Sequence, residues 1–240
     1  MRETTYFAFH SLTLIRKMVD ATKRQDGVTG TILAGAVCEI FLNDLQRWFQ
    51  HGVDYRRNTL QKNKQESRSF FPKNTFVSES SFFNTTSEQE ERIAVFIRNS
   101  ELKKSKKSTT DKYVGVIEIL KNANESGDAR FQKLRCLFNI RNDIVHSKGI
   151  TINISRDEEG KEIPPKKKDY PEFIIPLLKQ GILVLPKSHN TWLYLLDTDK
   201  YCKWLLSTVI ESVYYVLENL DDNSLMSKYF ADEFFVDNAG

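Results

Sequence analysis

Leu137-Phe138-Asn139-Ile140-Arg141-Asn142-Asp143-Ile144-Val145-His146-Ser147-Lys148-Gly149 places an arginine on the apolar stripe of a helix. A histidine follows five residues later, just before a glycine that stops the helix. At about 100° per residue, Leu134, Leu137, Phe138, Ile144 and Val145 all project within roughly 60° of Arg141. Arginines are almost never fully buried unless paired, so Arg141 needs an acid, an anion or a subunit interface. His146 falls about 140° round the same wheel, on a line with Arg135, Asn139 and Asn142. On one ideal helix the two side chains therefore diverge. They serve one site only if the helix ends near His146 or if two copies of it meet across a symmetry axis.

Working outward, the chain reads as mostly helical. The spacing of Phe7, Leu14, Ile15, Met18 and Val19 predicts a helix over 4–25 that stops before Asp26-Gly27. A second helix is expected from Thr29 to Phe49, with Leu33, Val37, Ile40, Phe41, Leu45 and Trp48 as its inner stripe and Gly52 as its stop. On its other side Gly35, Glu39 and Asn43 stack at four-residue spacing. The pair Arg47 and His51 then reads as helix-end chemistry, since cationic side chains suit a last turn. Residues 51–86 are polar and read as a loop insertion. Ser87 with Glu90 is a capping box opening a helix through Ile93, Phe96 and Ile97. It fades in Lys103–Lys107. Residues 111–123 predict another helix, although their β-branched content leaves a strand open. After Asn124–Gly127 comes the helix that carries Arg141.

Five of the six prolines crowd into 150–196, and proline breaks helix interiors. The alternation at Ile150–Ile154, Gly181–Leu185 and Trp192–Leu196 predicts three short strands in this insertion. Asp197 is expected to cap a last helix running to Leu220. The tail, Asp221–Gly240, is acidic and left to dock or fray. The fold class is all-α: a single helical domain over 1–240 with a polar loop insertion at 51–86 and a Pro-rich, β-containing insertion at 150–196.

The formal net charge of +3 and pI of about 8.6 are compatible with a polyanionic partner without demanding one. Cys38, Cys136 and Cys202 are odd in number and sit in apolar helical patterns, so they read as buried free thiols in a reducing compartment. No cysteine pair has zinc-ligand spacing, and the four histidines are far apart; neither a metal nor a cofactor is expected. The N-terminus lacks the apolar core of a signal peptide, and no run approaches the length of about 18 apolar residues that marks a membrane span. A cytoplasmic protein without a membrane partner is expected.

Arg141, the four residues Asn142–Val145, and His146 resemble the signature of the HEPN superfamily: an arginine, four to six residues, then a histidine, with a polar residue directly after the arginine, here Asn142. The resemblance covers residues 4–50, 88–148 and 197–220; the two insertions have no counterpart in it. It implies a helical bundle, a homodimer, and a metal-independent endoribonuclease of a toxin-antitoxin or phage-defence system, with Arg141 and His146 catalytic. RNA and an antitoxin or defence-system protein are the implied partners. The chemistry fits those residue types. Cleavage by 2′-hydroxyl attack needs proton transfer and positive charge on the phosphorane. A histidine titrates near neutrality, and the planar guanidinium matches phosphate oxygens two at a time. One histidine cannot easily be acid and base in one step, which favours a two-fold dimer. Asn142 has a supporting role, orienting His146 or contacting phosphate. Glu39, in Ala34-Gly35-Ala36-Val37-Cys38-Glu39, resembles the second-helix segment of some HEPN proteins and is either the partner of Arg141 or half of a structural pair. Asp143 is read as a plain exposed helix residue, or as a partner of Lys148 or Arg141. Helix-end packing for His146, and an ion pair without chemistry for Arg141, describe a non-catalytic helical interaction module instead. The lysine runs 103–107 and 166–168 read as solvated loops, with phosphate tracking as the other reading.

Overall fold

The structure, a computed structural model, describes residues 9–66, 87–102, 106–146, 154, 156–188, 190–221, 224, 226–227 and 230, with the backbone alone for 55, 56 and 58–66. Seven α-helices occupy these residues: α1 His10–Lys23, α2 Gly27–Glu66, α3 Glu88–Asn99, α4 Thr109–Lys121, α5 Ala129–His146, α6 Ile175–Lys179 and α7 Asp199–Leu217. The fold is all-α. Among the described residues the only β pairing is an isolated bridge between Arg156 and Glu162.

The chain divides into two compact units. The first holds 1–10, 40–125 and 215–240. Its interior is aromatic: Phe41 stacks on Tyr113 at 6.2 Å between centroids and meets Phe230 edge-on at 5.3 Å. The expected capping box opens α3, with Glu90 N donating to Ser87 Oγ and Ser87 N donating to Glu90 Oε2 (3.1 and 2.9 Å). Gly115 of α4 admits the Phe96 ring where any Cβ would overlap it. Part of the tail docks, since Ser224, Met226 and Phe230 are buried; residues 231–240 lie outside the described residues. Lys107 sets its ammonium over the Phe96 ring at 5.0 Å, and residues 103–105 of the lysine run lie outside the described residues.

The second unit holds 11–39 and 126–214. Met18, Val37, Leu134, Leu137, Ile140 and Leu205 form its dry centre. α1 ends at Lys23, and Gln25 at φ +57° turns the backbone just before Asp26-Gly27, where the stop is expected. Asp26 Oδ1 then accepts from Thr29 N at 3.0 Å to cap α2. Asp197, expected to cap its own helix, instead accepts from Gly27 N (2.9 Å) at the start of α2. The cap of α7 is Thr198, whose Oγ1 accepts from Tyr201 N at 3.2 Å. Thr31 Oγ1 donates to the Gly27 carbonyl and shares a hydrogen bond of 2.7 Å with Tyr201 Oη.

Further expectations are corrected. α2 does not stop at Gly52 but runs to Glu66, so 51–66 is helix and only 67–86 of the expected loop lies outside the described residues. An interior glycine costs only about 1 kcal/mol relative to alanine, and no proline occurs until Pro72. Arg47 and His51 are consequently mid-helix, not at a helix end. Neither 181–185 nor 192–196 is a strand. Gly181 sits at φ +65°, and the N–H groups of Gly181, Ile182 and Leu183 bond back to carbonyls of α6, so they are not offered to a ladder. Trp192–Leu195 is a 3₁₀ turn capped by Thr191. Of the third expected strand, 150–153 lie outside the described residues. Finally, Cys38 and Cys202 are buried free thiols, but Cys136 is only half-buried.

By length and composition Gly27–Asp54 is apolar enough to cross a membrane. In the folded chain its stripe, including Ala34, Val37, Phe41 and Leu45, is buried.

Candidate functional site

The site grows from α5 in the second unit. Asp128 starts this helix: its Oδ1 accepts from Arg130 N at 2.7 Å, and its carbonyl takes Phe131 N and Gln132 N. Phe131, Leu134, Leu137, Phe138 and Ile140 are buried, which fixes the rotation of the helix and therefore where Arg141 points. The apolar stripe does not persist to the end. Ile144 is half-buried and Val145 is 48% exposed.

Arg141 lies along α2 at Gly35. A Cβ on that glycine would stand 3.1 Å from Arg141 Cγ and 3.4 Å from Nε, so the missing methyl makes the bed for the side chain. The four-residue step from Gly35 to Glu39, visible in the sequence, then brings an acid to the guanidinium. Nη2 donates to Glu39 Oε2 at 3.4 Å, and Nη1 donates to Asn142 Oδ1 at 3.1 Å. Nε is buried and has no hydrogen-bond partner among the described residues.

The magnitudes decide what this cluster is for. Its two charged side chains are 24% and 39% exposed at a long distance, and such pairs contribute about 0–1 kcal/mol. An unsatisfied buried N–H costs about 1–3 kcal/mol. The cluster is therefore no net source of stability.

His146 is the last residue of α5 and is exposed. It lines an open groove of about 650 Å³ together with Asn139, Asn142, Asp143, Glu172 and Phe173. Arg141 is not among these lining residues. The helix thus keeps the angular separation that the wheel predicts: the guanidinium faces α2 and the imidazole faces the groove. Asn142 joins the two, because its side chain bonds to Arg141 and also lines the groove. Arg141, Asn142 and Glu39 are brought together, and His146 stands on the adjoining face.

Asp143 does not pair with Arg141; it lines the groove, and Lys148 lies outside the described residues. The far wall was missed by sequence reasoning. Glu172 and Phe173 belong to a 3₁₀ turn, Glu172–Ile174, that follows Pro171. Cys136 Sγ donates to the Phe173 carbonyl at 3.4 Å and ties this turn to α5. Burial pushes the Cys136 thiol up to about 11, which keeps it protonated near neutrality. The Phe173 ring meets Trp192 edge-on at 5.4 Å. Local periodicity carries no signal for such a placement, and only the Pro-Glu-Phe-Ile order hints at a tight turn.

Lys166–Lys168 are exposed around a 3₁₀ turn in which Lys166 N donates to Asp169 Oδ2 at 2.7 Å. Among the described residues, no group of three or more His, Cys, Asp or Glu side chains is placed to hold a metal ion. Comparison with family models, with curated proteins and with solved structures finds no match for this chain.

Proposed function

We propose that the protein is a metal-independent endoribonuclease that acts as a homodimer in a toxin-antitoxin or phage-defence system. The observation that carries this reading is a guanidinium bedded at Gly35, held by Glu39 and Asn142, on the same helix as an exposed imidazole in an open groove. In this reading His146 moves a proton between the ribose 2′-hydroxyl and the leaving 5′-oxygen. Arg141 neutralises the phosphorane, with a geometry that lysine would not reproduce. Asn142 couples them, and Glu39 holds the arginine ready. The new P–O bond forms from the 2′-oxygen as the P–O5′ bond breaks, leaving a 2′,3′-cyclic phosphate and a 5′-hydroxyl. Since the two side chains face different sides of α5, a second copy is needed to bring a guanidinium opposite the imidazole.

A second reading has its own support. Asp143 and Glu172 line the groove, and acids disfavour a phosphate there. A non-catalytic helical module that dimerises or binds a partner protein would have this character.

Purified protein incubated with total RNA in excess EDTA separates the two. The nuclease reading expects cleavage that falls about 10²-fold or more in Arg141→Ala and in His146→Ala, with helical content unchanged. Intact RNA together with tight binding of a partner protein would instead establish the interaction module.

A further inference from the structure

We infer that the groove beside His146 binds an unpaired nucleobase whose edge presents N–H donors, guanine foremost, and does not cradle a phosphate. Its walls are of two kinds. α5 supplies Asn139, Asn142, Asp143 and His146, and the turn after Pro171 supplies Glu172 and Phe173. Among the described residues that line it there is neither lysine nor arginine. Asp143 and Glu172 give it two carboxylates, which accept hydrogen bonds and repel a phosphate, while the Asn142 amide, whose Oδ1 already accepts from Arg141, keeps its NH₂ as a donor.

A purine edge with adjacent ring and amino N–H groups is the complementary shape. Guanine N1–H and N2–H₂ match both oxygens of one carboxylate, much as a guanidinium does. Glu172 is exposed on the far wall and has the reach for this contact. Phe173 offers a ring already fixed by Trp192, and stacking on an aromatic ring is open to any base. The volume of about 650 Å³ is within the range of small-molecule sites and has room for one nucleotide. In this arrangement the phosphate lies outside the groove.

Binding of the base stands on the groove alone. That the base belongs to an RNA chain rests on the ribonuclease reading; free guanosine monophosphate is the other source of the same chemistry. Short uridine oligonucleotides, 2′-O-methylated so that they bind without being cut, carry a single guanosine, inosine or adenosine. Anisotropy titration is expected to show the guanosine oligonucleotide binding about tenfold more tightly than the adenosine one, with inosine, which lacks the N2 amino group, in between. Glu172→Gln, at an exposed position that leaves folding intact, is expected to remove the preference.

Guanosine monophosphate competing as well as the oligonucleotide would support the site and name the free nucleotide as its occupant. Equal binding of all three oligonucleotides, or tighter binding of all of them by Glu172→Gln, would overturn the base site. Unmodified RNA in EDTA keeps the two readings apart. Cleavage with no preference for guanosine sinks the base site and leaves the nuclease; guanosine preference without cleavage does the reverse.

Discussion

Two polar clusters in this molecule are built from similar parts and end differently. In the first unit, Glu90 is 5% exposed, and both of its oxygens are used: Oε2 accepts from Ser87 N, and Oε1 accepts from Ser224 Oγ at 2.7 Å. In the second unit, Arg141 reaches Glu39 only at 3.4 Å and leaves Nε buried without a partner among the described residues. The first cluster closes its hydrogen bonds and ties the tail to α3. The second is left under-satisfied beside an open groove. Under the proposed function the incomplete pairing of Arg141 belongs to the site, whereas the completed pairing of Glu90 serves stability.

Gly35→Ala attacks the contrast hardest. The added Cβ must displace Arg141 by a few tenths of an ångström, while helix propensity gains up to about 1 kcal/mol. RNA cleavage is expected to fall about tenfold or more as the denaturation midpoint holds or rises. A parallel loss of both would make Gly35 a packing residue only. Glu90→Ala tests the other cluster. It strands the Ser224 hydroxyl and the Ser87 N–H, and a loss of about 1–3 kcal/mol in urea unfolding is expected, with catalysis per folded molecule unchanged.

The smallest effect is a pH dependence. Burial raises the Glu90 carboxyl above its usual range, only partly offset by the Ser224 and Ser87 hydrogen bonds. Between the ordinary carboxylate range and the raised value the native state binds this proton more than the unfolded chain does, so stability from this group falls as pH rises through that window. Mild acidification from neutrality is expected to raise the melting temperature slightly in the wild type, and by less in Glu90→Gln.

What the sequence disclosed follows the same division. The Ser87–Glu90 box, the stop at Asp26-Gly27 and the buried face of α5 are local patterns, and the chain carries them in its spacing. The rotation that parts Arg141 from His146 was legible for the same reason, as was the four-residue step from Gly35 to Glu39. The extent of α2 was not, because a polar surface between 51 and 66 looks like a loop until one notes that no residue there forbids a helix. Apolar alternation at 181–185 misleads because a strand needs a neighbour, and here the N–H groups turn back onto α6. Glu172 and Phe173 were invisible as groove residues, since their place beside α5 comes from packing across a long insertion.

The central claim is that Arg141 and His146 together drive transesterification at RNA phosphorus. It is tested most directly by mass analysis of the ends left on a defined oligoribonucleotide after incubation in EDTA. A 2′,3′-cyclic phosphate paired with a 5′-hydroxyl, absent in Arg141→Ala and His146→Ala and blocked by a 2′-deoxy residue at the cut, is the predicted result. A 3′-hydroxyl paired with a 5′-phosphate, or cuts that persist in either variant, would contradict it.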